Sequence, residues 1–308
     1  MNPRLVITLA VLTYRRPNDL RALLPILVGQ AERCEHTVRI LVVDNDPAAS
    51  AQTTLSQLNL SLVSYAHEPV PGIAAARNRA LDESSASKVL IFIDDDERPV
   101  AEWLTALLSL YLTSRPAGVV GPVISRYPRN LEPWISAGRF FDRRRLPTGT
   151  VVEVAATNNL LLDLDVVRST GVRFDEAFGL TGGSDTLFTR ELSRGGNLLV
   201  WCDEAIVFDE VPESRMSREW VLQRAYRSGN GWSRTSLALA GTSRDRALCR
   251  LQLTARSAPR IIAGVLMSTS GWMLRSQGMN ARGRRTLSRG LGMFSGSWGH
   301  VYSEYRRD

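Results

Sequence analysis

The sequence has little of what disulfide frameworks, zinc sites and membrane-spanning helices require. Its 308 residues include 3 cysteines and 3 histidines, and no two cysteines form a CxxC pair. This scarcity argues against a disulfide framework or a zinc site and fits a reducing compartment. No apolar run reaches the roughly 18 residues of a spanning helix, since serine and glycine interrupt residues 261–274. The run Leu5–Val11 is too short for a signal peptide, so a cytoplasmic location is expected.

Lysine is nearly missing, and the positive charge is unevenly distributed. Lys88 is the single lysine, so the formal net charge of +7 rests almost wholly on arginine. Residues 213–308 contain 17 arginines and 5 acids, a net charge of +12, which leaves −5 for residues 1–212. This asymmetry predicts an anionic surface as the partner of the C-terminal part. The negative first part argues against a nucleic acid as that partner.

Alternating apolar runs and helical patterns in residues 1–125 predict an α/β fold. Five apolar segments are predicted to be strands buried on both faces: Leu5–Leu12, Val38–Val43, Leu60–Tyr65, Val89–Ile93 and Val119–Ile124. Four helical patterns lie between them: Pro17–Val28, Ala49–Leu58, Ile73–Glu83 and Ala101–Leu112. This alternation is typical of a mainly parallel sheet with helices on both faces, where ligands bind beyond the carboxyl ends of the strands.

The pattern changes after residue 125. Residues 125–149 contain three prolines and are predicted to be a long surface loop or lid. A glycine-rich turn at Gly179–Gly183 is predicted to open a helix at about Ser184, and the pattern is helical from Met216 to the end. Four short strands are predicted in between: Val151–Ala155, Asn159–Leu162, Leu198–Cys202 and Ala205–Phe208.

Four consecutive acids, Asp94 to Glu97, follow the apolar run Val89–Ile93 directly. Because side chains alternate along an extended strand, Asp94 and Asp96 share one side while Asp95 faces the other. Clustered carboxylates repel one another unless a cation neutralises them. Mg²⁺ or Mn²⁺ bound by one or two carboxylates together with substrate phosphates meets that need. The alternative is an acidic turn that caps the following helix.

Polar residues also follow other predicted elements. Asp44, at a strand end, is suited to accept a hydrogen bond from a nucleobase N–H, although an Asx turn before Pro47 explains it equally well. Arg77 is the cation of a helix start after Gly72, where free N–H groups and positive potential favour a diphosphate. A surface ion pair is the alternative role for Arg77.

In this order, the segments resemble family-2 glycosyltransferases of the GT-A fold, especially the branch of bacterial exopolysaccharide assembly. The resemblance extends from Val6 to about Arg234 and is carried by these motifs: Thr13-Tyr14-Arg15-Arg16-Pro17, Val43-Asp44-Asn45-Asp46, Gly72–Ala80, Phe92–Pro99, Gly121-Pro122, Ala156–Leu160, Gly179–Arg190 and Trp220–Gly231. It implies a metal-dependent, inverting transfer of a sugar from a nucleotide-diphosphate sugar to a glycan or lipid-linked saccharide, in bacterial cell-surface polysaccharide synthesis.

The resemblance also implies domains and residue roles. Residues 1–234 would form the catalytic domain, with a nucleotide-binding half at 1–125 and an acceptor-binding half at 126–234, and residues 235–308 a helical extension. The donor would be bound by Thr13, Tyr14, Arg15, Asp44, Asn45, Arg77, Asp94 and Asp95, and the metal ion by Asp96 and Asp94.

Acceptor chemistry is assigned by the same resemblance. Asp185 would be the base that deprotonates the acceptor hydroxyl, and Gly183, Ser184 and Trp201 would bind the acceptor. Family members usually carry Glu-Asp where this chain has Ser184-Asp185, so one carboxylate able to bind an acceptor hydroxyl is replaced. Helix capping is the alternative role for Asp185.

The C-terminal extension contains a basic amphipathic pattern. At about 100° per residue, apolar residues between Leu248 and Leu266 occupy one arc, while arginines between Arg246 and Arg260 occupy another. Such a helix either lies on an anionic membrane, peripheral to the inner face of the plasma membrane, or packs on the catalytic domain with its arginines in water. Trp298, Tyr302 and Tyr305 are candidate interfacial aromatics. A polyprenyl-diphosphate-linked acceptor would make membrane contact useful.

Other classes of protein predict different motifs. A sugar-nucleotide nucleotidyltransferase would place a glycine-rich phosphate loop and a nearby lysine after the first strand, and residues 10–17 have neither. A dehydrogenase would place GxGxxG there, which is also missing. A non-catalytic carbohydrate-binding or scaffold protein with the same fold remains an open alternative.

Overall fold

The computed structural model describes residues 4–302, so Tyr305 and the end of the predicted extension lie outside the described residues. Tertiary contacts divide the chain into two compact units. We call the first the sheet unit; it comprises 4–124, Arg143–Leu180 and Ser184–Asp209. The second, the helical unit, comprises Ser125–Asp142, Thr181–Gly183 and 210–302. The domain boundaries at residues 125 and 234 stay predictions.

The strands and helices are as follows. The strands are β1 (Val6–Thr13), β2 (Thr37–Asp44), β3 (Val63–His67), β4 (Val89–Asp94), β5 (Glu97–Pro99), β6 (Gly118–Val120), β7 (Val123–Arg126), β8 (Val151–Val152), β9 (Asn159–Asp163), β10 (Leu199–Trp201) and β11 (Val207–Glu210). The helices are α1 (Pro17–Arg33), α2 (Ala51–Leu58), α3 (Ile73–Glu83), α4 (Trp103–Ser114), α5 (Pro133–Gly138), α6 (Leu164–Thr170), α7 (Ser184–Arg194), α8 (Arg218–Ala238), α9 (Ser243–Met273) and α10 (Gln277–Ser297).

An eight-stranded sheet forms the centre of the sheet unit, in the order β3-β2-β1-β4-β9-β6-β10-β8. β1 pairs in parallel with both β2 and β4, and β9 runs antiparallel between β4 and β6. A smaller sheet has the order β5-β11-β7. The predicted mainly parallel α/β fold is therefore confirmed.

Both faces of β1 are buried, which explains its continuous apolar sequence. Ile7 and Leu9 point into one hydrophobic cluster, together with Leu23 of α1. Ala10 and Leu12 point into a second cluster on the other face, together with Ala76 of α3. Since helices cover the two faces, the polar residues that end the central strands lie at the carboxyl edge of the sheet, the usual ligand position in open α/β sheets.

Two of the strands predicted in residues 1–125 are partly wrong. The segment 119–124 is not one strand, because β6 ends at Val120 and β7 begins at Val123. Between them, a Cβ atom on Gly121 would lie 2.3 Å from the carbonyl oxygen of Ala205, and Pro122 has no N–H for a ladder. The third strand starts later than predicted, at Val63, and at the edge of the sheet it is only partly buried.

The segment 125–149 is not an irregular loop throughout. It contains α5, which Pro133 begins at a position where a missing N–H is harmless. Trp134 and Ile135 of this helix are buried in a hydrophobic cluster of the helical unit that includes Val221. Trp134 also donates its indole N–H to Asn280 Oδ1 at 2.8 Å. The sequence alone does not reveal this helix, because partners such as Asn280, 146 residues further along the chain, are distant in sequence.

The helical unit is built around α10, which packs against α8, α9 and α5. Glycines allow close approach of α8 and α10. A Cβ atom on Gly229 of α8 would lie 2.1 Å from the carbonyl oxygen of Arg289, and one on Gly292 of α10 would lie 2.0 Å from that of Tyr226. Within residues 4–302, no helix combines the length and the apolar character that crossing a bilayer requires.

Candidate active site

The carboxyl ends of three parallel strands bring the predicted donor residues together. In the register of the sheet, Thr13 of β1 lies beside Asp44 of β2, and Leu12 lies beside Asp94 of β4. The chain leaves β1 toward β2 on one side and reaches β4 on the other. This reversal of strand order opens a crevice at the carboxyl edge, the usual ligand position in open α/β sheets.

Asp95 and Asp96 share one cation, Arg16. Its Nη1 lies 2.8 Å from Asp95 Oδ1 and 2.6 Å from Asp96 Oδ2. Asp95 also accepts a hydrogen bond of 2.7 Å from Thr13 Oγ1. Burial raises the pKa of Asp95 to about 6, against the opposing effect of the Arg16 charge. The two acids are thus held by the segment that follows β1.

Asp94 differs from its neighbours because its carboxylate accepts no hydrogen bond from residues 4–302. Burial raises the pKa of Asp94 to about 7, and the charge of Asp96 adds to the rise, while Arg77 opposes it. Asp94 is half-buried, and a carboxylate with little water around it and no donor is costly in its charged form. The free energy of this site therefore falls when a cation approaches Asp94.

Glu97, the fourth acid, is fully enclosed beside Asp94. Its Oε1 accepts a hydrogen bond of 2.7 Å from Asn158 Nδ2, and its Oε2 accepts one of 3.3 Å from the Asp94 N–H. Burial and the charge of Asp94 raise its pKa well above the usual value. Glu97 was absent from the predicted site, although its place directly after the three aspartates was a usable signal.

Arg16 was also missed, because its neighbour Arg15 was chosen from the same motif. Arg15 instead reaches the carboxylate of Asp46 at 3.1 Å and lies over the ring of Tyr14 at 5.1 Å. The sequence shows two adjacent arginines after a strand. Arg16 and Asp95 are 79 residues apart in the chain. The strand order, which the sequence does not show directly, brings Arg16 rather than Arg15 to the acids that follow β4.

Asp44 and Asn45 both make bonds to the backbone around the crevice. The Asp44 carboxylate accepts from the backbone N–H groups of Asp46 at 3.0 Å and Ala51 at 2.8 Å. Asn45 donates to the carbonyl oxygens of Glu68 and Val70 and accepts from the Gly72 N–H at 3.0 Å. These bonds fix the loops at the ends of β2 and β3, and nucleotide contact by Asp44 and Asn45 stays a prediction.

Arg77 and Ser184 meet although 107 residues separate them. Arg77 Nη1 donates to Ser184 Oγ at 2.7 Å, and its guanidinium lies 5.5 Å from the ring centroid of Phe174. Both side chains are buried. This contact places the start of α7, which carries the predicted base, against α3, which carries the predicted diphosphate ligand.

Asp185 lies in the first turn of α7 and is partly exposed. Its Oδ1 accepts the N–H of Thr186 at 2.7 Å, while Oδ2 accepts no hydrogen bond from residues 4–302. The preceding Gly182 and Gly183 have φ values of 74° and 100°, which only glycine adopts easily. A helix-end contact by one oxygen leaves the other available to a substrate, so the two roles considered for Asp185 are compatible.

Trp201, predicted to bind the acceptor, is buried in the second cluster of the sheet unit. Its indole N–H donates to Asp203 Oδ1 at 3.3 Å, and the Arg144 guanidinium lies 5.5 Å from its ring centroid. The Trp201 side chain thus contacts Asp203 and Arg144, and its contact with an acceptor stays a prediction.

The acids suit a hard divalent cation. No group of three or more His, Cys, Asp or Glu side chains in residues 4–302 is arranged as a complete metal cage. Mg²⁺ and Mn²⁺ sites at phosphate substrates use one or two carboxylates and take further oxygens from the phosphates. The carboxylate of Asp94, which lacks a donor, and the neighbouring Asp96 supply the right kind of oxygen for this arrangement, so the residues fit the ion.

The sheet order and the acid run after β4 define a glycosyltransferase of the GT-A type. The model for glycosyl transferase family 2 matches residues 8–166. The chain is also 35% identical over 234 residues, 74% of each protein, to the succinoglycan biosynthesis protein ExoM of Rhizobium meliloti strain 1021. The chain therefore belongs to glycosyl transferase family 2.

Solved structures share the fold at low sequence identity. The mannosyltransferase PcManGT of Pyrobaculum calidifontis, in complex with GDP-Man and Mn²⁺, has a TM-score of 0.62 at 14% identity, covering 96% of this chain and 88% of that one. TarS 1–349 of S. aureus with UDP-GlcNAc has a TM-score of 0.52 at 14% identity, covering 92% and 90%. GalNAc-T7 with UDP, GalNAc and Mn²⁺ has a TM-score of 0.57 at 12% identity, covering 76% of this chain but 51% of that one.

Proposed function

We propose that the protein is a metal-dependent, inverting glycosyltransferase. It would transfer a sugar from a nucleotide-diphosphate sugar to a saccharide acceptor in bacterial cell-surface polysaccharide synthesis. The observation that carries this proposal is the half-buried Asp94 carboxylate, which accepts no hydrogen bond from residues 4–302 and whose pKa is raised by burial and by the charge of Asp96. The similarity to a succinoglycan biosynthesis protein supports the polysaccharide assignment.

The donor side of the reaction uses the strand ends. Thr13, Tyr14, Arg15, Asp44 and Asn45 line the nucleotide position, Asp94 and Asp95 lie at the donor sugar, and Asp96 with Asp94 holds Mg²⁺ or Mn²⁺. The cation supplies positive charge that stabilises the departing diphosphate. Arg77, the fifth residue of α3, adds a second positive charge for the same group.

The acceptor side uses the start of α7. Asp185 takes the proton of the acceptor hydroxyl, and the acceptor oxygen forms a bond to the anomeric carbon. The bond from that carbon to the diphosphate oxygen breaks, and its electron pair leaves with the nucleoside diphosphate. Attack opposite the leaving group inverts the anomeric centre. Gly183 and Ser184 position the acceptor, and Ser184 also ties this helix start to Arg77.

Two single substitutions separate the halves of this mechanism. In Asp96→Ala, nucleotide-diphosphate release in the presence of Mn²⁺ should be lost. In Asp185→Asn, donor binding should persist, measured as the Mn²⁺-dependent rise in melting temperature with a panel of UDP-, GDP- and dTDP-sugars, while transfer stops. Release of pyrophosphate when the protein is given a nucleoside triphosphate and a sugar 1-phosphate would favour a nucleotidyltransferase. Full transfer by both variants would reject the site.

The acceptor belongs to this proposal as well. We include a polyprenyl-diphosphate-linked saccharide as acceptor and a peripheral position on the inner face of the plasma membrane. The support is the charge of residues 213–308, a net +12, which favours an anionic surface. Transfer to a lipid-linked saccharide, compared with the free saccharide, tests the acceptor directly.

A further inference from the structure

The contact between α9 and α10 is made by small residues on both helices. On α9, a Cβ atom added to Gly264 would lie 2.5 Å from the Leu287 backbone nitrogen, and one on Gly271 would lie 2.3 Å from that of Asn280. On α10, a Cβ atom on Gly283 would lie 2.3 Å from the Ser268 nitrogen. Helix pairs in lipid pack in this way, because small residues let the backbones approach while large apolar residues face outward.

The large apolar residues of α9 lie on its opposite side. At about 100° per residue, Gly264, Gly271 and Ser257 project in one direction, and Leu251, Ile262, Leu266 and Met273 project roughly the other way. The latter four side chains are 63%, 60%, 60% and 72% exposed. We call them, with Leu248, Val265 and Trp272, the apolar arc of α9.

The described residues leave this arc uncovered. It extends from Leu248 to Met273, roughly 37 Å along the helix at 1.5 Å per residue. An apolar strip of this length on an exposed helix needs a partner. Within the helical unit, the arc is therefore left without a partner.

Arginines flank the arc: at about 100° per residue, Arg250 and Arg256 of α9 project to its two sides. α9 and α10 together contain nine arginines and one acid, Asp245, a net charge of +8. An anionic surface that contacts the arc can therefore also meet cations at its margins.

We propose that α9 and α10 form a membrane-docking hairpin, with the apolar arc of α9 lying in the headgroup and acyl boundary of a bilayer that contains anionic lipids. The occupant is a lipid surface because the strip is apolar and the residues beside it are cationic, the combination that interfacial helices use. Trp272, at the end of the arc, is suited to the boundary between headgroup and acyl chain. The inference rests on the proposed function for its purpose, which is access to a lipid-linked acceptor.

Vesicle co-sedimentation of the full chain tests the hairpin. The wild-type protein should bind vesicles of phosphatidylcholine with added phosphatidylglycerol, and bind phosphatidylcholine alone much more weakly. Ile262→Glu/Leu266→Glu should weaken binding by at least about tenfold, since two apolar side chains are exchanged for charges. Leu198→Glu is the matched control, because Leu198 is 53% exposed in the sheet unit and should change nothing.

A second variant tests the charges. Arg256→Gln should reduce binding to anionic vesicles by about fivefold, following the roughly 1 kcal/mol per arginine near such a surface, and leave binding to neutral vesicles unchanged. Equal binding of wild type to both vesicles, or equal binding of Ile262→Glu/Leu266→Glu and wild type, would overturn the inference. So would a wild-type dimer, measured by analytical ultracentrifugation, that does not bind vesicles and that the double substitution converts to monomers.

The test is independent of the proposed reaction. The Mn²⁺-dependent thermal shift with nucleotide sugars involves the sheet unit, so Ile262→Glu/Leu266→Glu should retain it. If wild type shows the thermal shift with nucleotide sugars but does not bind vesicles, the hairpin alone is contradicted. Vesicle binding without any nucleotide-sugar shift would contradict the proposed function and leave the hairpin standing.

Discussion

Arg16 pairs with Asp95 and Asp96, so under the proposed function it competes with a divalent cation for Asp96, and replacing it should reveal that competition. In Arg16→Met, the two ion pairs to Asp95 and Asp96 are lost and a side chain of similar length remains. Without metal, the protein should become less stable. With Mn²⁺, the same variant should gain more stability than wild type, because Asp96 no longer has a resident partner.

The magnitude follows from burial. Removing one partner of a fully buried ion pair costs about 3–5 kcal/mol. The Asp95 side chain is 5% exposed but that of Arg16 is 36% exposed, so solvent screening reduces the expected loss to about 2 kcal/mol. For a chain of this size, that loss lowers the melting temperature by roughly 5 °C.

The assay is thermal unfolding of wild type and variant, each with and without Mn²⁺. Arg21→Met is the matched control, since Arg21 is an exposed arginine of α1, the helix that begins directly after Arg16, and bonds to Asn18 and Gln57. The stability of this variant should stay within about 0.5 kcal/mol of wild type. A smaller Mn²⁺ shift in Arg16→Met than in wild type would refute the competition and show that Arg16 helps to form the metal site.

Three further outcomes are expected. Asp185→Asn should lower transfer by at least about a hundredfold, because a positioned base contributes that much, and leave the donor-induced thermal shift unchanged. Between about pH 4 and pH 7, the stability of the metal-free protein should fall as pH rises. The raised pKa values of Asp94 and Asp95 keep protons on the folded state that the unfolded chain has already released. The Mn²⁺-induced rise in melting temperature should grow over the same range, and a stability that does not change with pH would contradict this prediction. Gly229→Ala should destabilise the helical unit by several kcal/mol, because its Cβ atom would meet the Arg289 backbone. The control Gly231→Ala, whose Cβ atom would have nothing within 4 Å, should be neutral or stabilising by up to about 1 kcal/mol. Thermal unfolding followed by circular dichroism compares the two variants.

The central strands were predictable from sequence because they are buried on both faces. β1, β2 and β4 are continuous apolar runs, and their polar ends at Thr13, Asp44 and Asp94 mark one edge of any parallel sheet. The helix α7 was predictable for a different reason. A glycine turn with positive φ values at Gly182 and Gly183 ends just before it.

What sequence could not supply depends on distant partners. α5 is held by the indole of Trp134, which reaches Asn280 146 residues away. Arg16 meets the acids because β1 lies next to β4 in the sheet. The apolar arc is exposed because the opposite side of α9, with its glycines, packs on glycines of α10. A helical projection of α9 alone does not show which side of the helix packs on α10.

Donor binding tests the central claim most directly. Wild type and Asp96→Ala should be melted with each nucleotide sugar, with and without Mn²⁺. The account predicts that at least one nucleotide-diphosphate sugar raises the melting temperature of wild type only when Mn²⁺ is present. Asp96→Ala should still fold and melt, but its melting temperature should show no such rise. An equal Mn²⁺-dependent rise in Asp96→Ala, or no rise in wild type with any sugar nucleotide, would contradict it.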